Sequence, residues 1–250
     1  MRKYISVIWL FMLTLSASAA FAWHDATHMA VMKAAGLGDY AYLAVGADMA
    51  KEKSGGREDG NHYRNNKKGT VVTAEMVLAQ VGDYNCRCYD DGHLYGAIIA
   101  AVKEYRLKKE SGKYALYPLG FAAHYIGDLS MPLHNVEYNE FNKANHATND
   151  GVVEGEGRET TEARVARIAR EIEKRMKGRA PYHFTSAGKD PEKFTREVAE
   201  KIAEIANKSI SQGYAMQESD PQSPIMTPDE AYDRLCDSAM LLKAVYAAVQ

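Results

Sequence analysis

Apolar residues recur at intervals of three and four positions along much of the chain, which places them on one face of an α-helix. The clearest case is segment 91–110, where Leu94, Ile98, Val102 and Tyr105 form such a face. We therefore predict an amphipathic helix over this segment, with its apolar face against the protein core.

Segment 156–178 repeats this pattern with Val165, Ile168 and Ile172 on one face, and Gly178 marks its end. Its other positions mix arginines with glutamates. Interleaved charges of both signs are typical of a solvent-exposed helix face, whereas a phosphate-binding surface would carry an excess of basic residues. We interpret this segment as a surface helix.

Two more helices are predicted from their first residues. Asp190 and Pro191 have the residue types preferred at the N-cap and at the first helical position. Thr227 and Glu230 have the spacing of a capping box. Each pair precedes a long segment with helical periodicity.

Segments with the alternating pattern of a β-strand are scarce. The best is the short run GTVVTAEM at 69–76, and there are no internal repeats or low-complexity tracts. We predict a single all-α, multi-helix domain over residues 23–250, with its most irregular loops at 51–70 and 133–157.

The first 22 residues have the composition of a secretory signal peptide. Arg2 and Lys3 precede an apolar run from Tyr4 to Leu15, and Ala20-Phe21-Ala22 forms a small-residue cleavage motif. The run is shorter than the roughly twenty apolar residues that span a bilayer, which disfavours the alternative of an uncleaved membrane anchor. We expect a secreted or periplasmic protein that starts at Trp23 and has no transmembrane segment.

The charge and the cysteine content disfavour two classes of protein. Without residues 1–22, the chain carries 29 basic and 33 acidic residues, a formal charge of −4. This charge does not favour a protein that holds long nucleic acid by backbone contacts alone. Three cysteines are few for a disulfide scaffold. Because Cys86 and Cys88 lie too close for an easy mutual bridge, we predict that one of them pairs with Cys236 and leaves one thiol free.

The stretch AAHYIGDLSMPLHN, residues 122–135, contains the first candidate metal-binding residues. His124 and Asp128 are four residues apart, so on a helix both side chains point to the same face and can reach one ion. Pro132 then ends the helix, and His134 follows on a new segment. A lone His-x-x-x-Asp pair is more often a surface pair or a core histidine, so this stretch alone does not establish a metal site.

The same residue types recur elsewhere in the chain. His146 and Asp150 are again four apart, and His28 lies five residues after the predicted new N-terminus. His62 follows two aspartates that are alternative partners, Asp48 and Asp59. Imidazole and carboxylate together are the ligand set of catalytic zinc. His24, His93 and His183 lack such partners, and we interpret them as surface or supporting residues.

These motifs resemble the zinc-dependent phospholipase C and nuclease P-one superfamily, which includes single-strand nucleases. Its hallmark block, H-Y/F-I/L-G-D-x-x-x-P-L/M-H, is complete at residues 124–134, and the resemblance extends from Trp23 to Asp150. It implies a secreted helical enzyme that binds three zinc ions. It also favours Asp48 over Asp59 as the acidic ligand.

Carried over to this sequence, the resemblance implies three zinc sites. The first would use Asp48, His62, His124 and Asp128. The second would use the amino and carbonyl groups of Trp23 with His28, and Asp128 would bridge to it. The third would use His134, His146 and Asp150. Asp48 would also act in catalysis, by orienting the attacking water or accepting its proton.

The substrate is less well defined than the metal ligands. Tyr63 and Asn65 are the predicted substrate-binding residues, for a phospholipid headgroup or for single-stranded nucleic acid. An aromatic residue at position 63 occurs in both branches of the superfamily, and Asn65 replaces an acid that both often carry. We favour phospholipase C over a nuclease, with a non-catalytic exported zinc-binding protein as the third alternative. The oligomeric state is left open.

Overall fold

The computed structural model describes residues 23–87, 90–155, 158–219 and 225–250, and within these ranges the protein is helical without a β-strand. The prediction of an all-α protein is confirmed. The α-helices of the described residues are α1 (Asp25–Met32), α2 (Gly46–Lys53), α3 (Ala74–Ala79), α4 (Leu94–Lys108), α5 (Leu116–Ser130), α6 (Glu140–Asp150), α7 (Thr161–Met176), α8 (Pro191–Glu218) and α9 (Pro228–Val249). A π-helical turn, Lys33–Leu37, and short 3₁₀ turns connect several of them.

Helix α5 lies at the centre of the hydrophobic core. It packs against α1, α2, α4, α8 and α9, and every residue from Ala122 to Ser130 is buried. The apolar side chains of this segment form the core, so its two ionisable residues, His124 and Asp128, are carried into the interior with them. The metal motif is therefore part of the core and not of a surface loop.

The predicted helix starts are confirmed. The Asp190 carboxylate accepts hydrogen bonds from the backbone N–H groups of Glu192 and Lys193, at 3.1 and 3.0 Å. Thr227 and Glu230 form the reciprocal capping box. Each cap satisfies amides that have no partner inside the helix and contributes about 1 kcal/mol.

The prediction of an irregular loop over 133–157 is wrong in part, because α6 occupies its middle. This helix has no apolar stripe. Its buried residues are Asn142, His146, Asn149 and Asp150, all polar. Periodicity of apolar residues, on which the prediction relied, therefore could not find α6. The short run 69–76 forms no strand, and Thr73 within it caps α3.

The predicted disulfide to Cys236 is also wrong. Cys86 is disulfide-bonded, whereas Cys236 is a free thiol. Cys236 lies on the core-facing side of α9, is fully buried, and has its sulfur 3.8 Å from the sulfur of Met240. Packed within the core in this way, it is not available to a cysteine of the surface loop that contains Cys86.

The predicted signal peptide, residues 1–22, lies outside the described residues. Within the described ranges, no helix combines the length and the apolar character that crossing a bilayer requires.

Candidate metal centre

Helices α1 and α5 bring His28 beside the hallmark block. The His28 and His124 rings are stacked, with centroids 3.8 Å apart. Gly127 makes this approach possible, since a Cβ atom at that position would lie 2.5 Å from Nδ1 of His28. A glycine inside a helix weakens it, and here the loss of the side chain makes room for a ligand from another helix.

Asp48, His62, His124 and Asp128 form the first cluster of donor atoms. Nδ1 of His62 lies 3.1 Å from both Nε2 of His124 and Oδ2 of Asp128. Oδ1 of Asp48 lies 3.6 Å from the donor nitrogens of His62 and of His124. A tetrahedral zinc ion with bonds of about 2.0–2.1 Å keeps its donor atoms roughly 3.3–3.4 Å apart. The spacing of this cluster fits such an ion.

The two carboxylate oxygens of Asp128 face different histidines. Oδ2 faces His62 and His124, at 3.1 and 3.4 Å, while Oδ1 lies 3.4 Å from Nε2 of His28. Asp128 can therefore bridge two neighbouring ions, one at the first cluster and one beside His28. Trp23 lies close to this second position, because its indole N–H donates to the Gly127 carbonyl at 3.1 Å.

His134, His146 and Asp150 form a third cluster. The Nε2 atoms of the two histidines are 2.9 Å apart, and Oδ2 of Asp150 is 3.5 Å from Nε2 of His146. The 3₁₀ turn Pro132–His134 presents the first histidine, and α6 presents the other two residues from successive turns. All three side chains are buried.

Supporting residues determine which nitrogen of three histidines faces the ions. Nδ1 of His124 donates to the Ala44 carbonyl at 2.7 Å, and Nδ1 of His134 donates to the His62 carbonyl. Nδ1 of His146 donates to Oδ1 of Asn142 at 2.6 Å. In each imidazole the remaining nitrogen, Nε2, then carries a lone pair directed into its cluster.

Burial favours the neutral form of these groups, which suits the histidines as metal ligands but disfavours the ionised carboxylates unless a cation is bound. Burial lowers the pKa of His124 and of His146 to about 4, so both are neutral ligands near neutral pH. Burial, with the negative charge of Asp48, raises the pKa of Asp128, and burial raises that of Asp150. A divalent cation supplies the positive charge that keeps these buried carboxylates ionised.

Several buried donor atoms of the clusters have no hydrogen-bond partner. These are both ring nitrogens of His28, one oxygen of Asp128, and both oxygens of Asp150. Burying such atoms unpaired costs free energy, and a coordinated ion would satisfy them. The described residues thus contain three buried groups of histidine and aspartate that could hold metal ions.

A cleft of about 330 Å³ opens onto these clusters. Its wall includes His62 from the first cluster and His134 and His146 from the third. The two predicted substrate-binding residues, Tyr63 and Asn65, line the same cleft. The Asn65 amide donates to the Asp90 carbonyl at 3.2 Å.

The structure distinguishes the two aspartates that are alternative partners of His62, of which the resemblance favours Asp48. Asp48 is buried and its carboxylate reaches the first cluster, while Asp59 is exposed at the cleft wall. His93, which we took for a surface or supporting residue, is buried and its Nε2 lies 2.9 Å from Oδ1 of Asn61. His183 is exposed in a different groove.

Sequence reasoning missed three residues that contact the ligands. Lys51 lies one helical turn after Asp48, and its ammonium nitrogen is 3.1 Å from Oδ1 of that aspartate. Glu58 is buried beside His62. Asn142 precedes His146 by four residues, a helical spacing that would have identified it if α6 had been predicted.

The known proteins give no assignment for this arrangement: no protein-family model matches the chain, and no curated protein matches it.

Proposed function

We propose that this chain is an exported zinc-dependent phosphodiesterase of the phospholipase C and nuclease P-one superfamily. The observation that carries the proposal is the convergence of two clusters on one cleft. His62, His134 and His146 line that cleft together, and Asp128 lies behind them between two sets of donors. A phosphodiester bound there would meet several metal positions at once. Export is supported by the leader-like composition of residues 1–22.

The donor atoms support zinc as the metal. The side-chain donors are imidazole nitrogens and carboxylate oxygens, at separations that fit a four-coordinate ion. We assign one ion to each of the three ligand sets implied by the sequence, with the Trp23 main chain completing the set at His28. When bound, zinc acts as a Lewis acid on the phosphoryl group and makes water a nucleophile near neutral pH.

Two residues of this chain would assist hydrolysis. Oδ1 of Asp48 is buried beside the donor nitrogens of His62 and His124 and is ion-paired with Lys51 at 3.1 Å, a position from which it would orient the attacking water and accept its proton. Lys51 lines the cleft, with its side chain 17% exposed. Its ammonium group would stabilise negative charge that develops on the phosphoryl oxygens.

The charges around the cleft favour a phospholipid with a cationic headgroup. Tyr63 stands among carboxylates: burial and the negative charges of Asp59, Asp90 and Asp91 raise the pKa of its hydroxyl. An aromatic ring with nearby carboxylates suits an ammonium headgroup. A polyanionic strand would instead need an excess of basic residues, and the only basic residue on the cleft wall among the described residues is Lys51. We therefore favour phospholipase C activity.

The test is a paired hydrolysis assay on the purified mature protein. Phosphatidylcholine vesicles are compared with single-stranded DNA and RNA, before chelation, after chelation, and after zinc is restored. We expect phosphatidylcholine cleavage that is lost on chelation and recovered with zinc. Cleavage of the nucleic acids alone would identify a nuclease, and three bound zinc ions without any turnover would identify a non-catalytic zinc-binding protein.

A further inference from the structure

His62 differs from the other histidines of the two clusters around the cleft. His124, His134 and His146 each use Nδ1 to donate to a neutral oxygen and direct Nε2 at a metal position. His62 has the reverse orientation, because its Nδ1 faces His124 and Asp128. If Nδ1 binds the metal ion of the proposed function, the proton of a neutral His62 lies on Nε2.

Nε2 of His62 is buried and has no hydrogen-bond partner of ordinary length. A carboxylate oxygen, Oε1 of Glu58, faces it at 3.6 Å. A buried N–H group without an acceptor costs free energy, and a movement of a few tenths of an ångström would complete this hydrogen bond. Glu58 is thus the residue placed to hold the His62 ring.

Glu58 is itself held rigidly. Its Oε2 accepts from the side-chain amide of Asn61 at 3.1 Å, and its Oε1 accepts from the hydroxyl of Tyr125. The carboxyl group is 5% exposed. Asn61 is fixed in turn by Nε2 of His93, at 2.9 Å from its Oδ1, and by the Asn85 backbone N–H at 3.2 Å. Asn61, His93 and Tyr125 of this network are fully buried, and Oε1, which accepts from Tyr125, also faces His62.

We propose that Glu58 is a positioning residue that fixes His62 with Nδ1 toward the metal and Nε2–H toward its own carboxyl group. The other ligand histidines of the two clusters rely on a carbonyl or an amide oxygen for the same purpose. A carboxyl acceptor orients the ring and makes the imidazole a stronger donor to its ion. The proposal rests on the metal centre of the proposed function and does not require that the substrate be a phosphodiester.

The first test is nuclear magnetic resonance of the histidine side chains in the zinc-loaded protein. Long-range ¹H–¹⁵N spectra identify which ring nitrogen carries the proton, and the signals missing from a His62→Asn variant assign His62. We expect the proton on Nε2, shifted to low field by the hydrogen bond to Glu58. In Glu58→Leu the low-field shift should be lost. A His62 proton on Nδ1, or an Nε2–H signal that Glu58→Leu leaves unchanged, would overturn the proposal.

The second test is zinc affinity, measured by competition with a chelator. We expect Glu58→Leu to weaken the affinity of one ion by about 10–100-fold, and Glu58→Gln, which retains an acceptor oxygen, to weaken it less. Glu154→Gln is the matched control. Glu154 is also buried and accepts from the backbone N–H and hydroxyl of Thr27, but the structure places its carboxyl group against no ligand ring.

The control separates positioning from general destabilisation. Both glutamine variants remove a buried carboxylate, so both should lower the melting temperature, but only Glu58→Gln should lower zinc affinity. Equal affinities in Glu58→Gln and Glu154→Gln, with Glu58→Leu no weaker, would overturn the proposal. Because both readouts are independent of hydrolysis, an absence of phosphodiesterase activity would refute the proposed function alone.

Discussion

Gly127 shows how one residue can be required by a site that it does not touch chemically. It stands between His124 and Asp128 in sequence, and its Cα faces the ring of His28. Any larger residue would displace that ring and with it the donor beside Oδ1 of Asp128. The glycine of the hallmark block is thus explained by helix packing around the ions.

Replacing Gly127 by alanine should lower the free energy of unfolding. Alanine favours the helix by about 1 kcal/mol, but overpacking a buried contact costs about 1–3 kcal/mol. We expect loss of the ion at His28 and a lower melting temperature, measured by metal analysis and thermal unfolding. Gly46→Ala is the control, because a Cβ atom at that helical position meets nothing within 4 Å. Full zinc content in Gly127→Ala would contradict this explanation.

Asp128 should be the residue with the largest effect on metal content. Its two oxygens face two separate sets of histidines, so Asp128→Asn removes negative charge from both. We expect zinc per chain to fall by up to two ions and activity to be lost. His183→Ala, an exposed change in another groove, should leave zinc content unaltered. Retention of all zinc by Asp128→Asn would show that the bridge does not exist.

Among the elements, α6 is the one that we expect to depend most on a bound metal ion. Its buried side is polar, so little apolar area fixes it to the rest of the molecule. Asn142 attaches its first turn, donating to the Leu133 and Glu137 carbonyls at 2.8 and 3.3 Å. The lone pairs of His134 and His146 face one another at 2.9 Å, an arrangement that repels unless a cation lies between them.

Chelation should therefore loosen α6 before the rest of the fold. We expect hydrogen exchange of the α6 amides to accelerate by about tenfold or more when zinc is removed, because local opening loses the restraint of the ion. The core segment of α9, residues 235–242, is buried in apolar contacts and opens only with the whole fold, so its exchange should accelerate less than that of α6. Unchanged exchange in α6 would mean that its protein contacts alone hold it.

The contrast between α6 and the other long helices explains which elements can be predicted from the sequence. Helices α4, α7, α8 and α9 carry an apolar face or a strong N-cap, and both signals are local in sequence. Helix α6 has the N-cap Asn139, but no apolar stripe follows it, and contacts with distant residues add to its stability. Local patterns therefore identify the amphipathic helices and miss the helix that presents His146 and Asp150.

At the scale of the whole molecule, the candidate ligand motifs can be found in the sequence, whereas the residues that orient those ligands cannot. The four-residue pairs reflect helix geometry, which is local. The environment of His62 is not local: it combines Glu58 with Asp128 and His124, which come from segments more than sixty residues away. The Cys236 prediction failed for the same reason, since burial in α9 is a property of the fold.

Export and metal binding should be coupled through Trp23. A free α-amino group has a pKa of about 7.7–8 and can bind a metal, whereas the amide nitrogen of a longer chain is a poor ligand. Trp23 is fully buried, its indole N–H donates to the Gly127 carbonyl, and it precedes His28 by five residues. We expect protein that begins at Trp23 to bind more zinc and to hydrolyse substrate faster than protein with a few preceding residues. Equal zinc and equal rates would eliminate the N-terminal ligand.

The buried thiol of Cys236 allows opening of the protein core to be measured by chemical labelling. A thiol reagent in solution cannot reach a side chain with no exposed surface, so modification requires the helices around α9 to separate. The labelling rate then measures how often the core opens, without an added probe. Labelling should slow as zinc is loaded, and a Cys236→Ser variant identifies the signal that belongs to this sulfur.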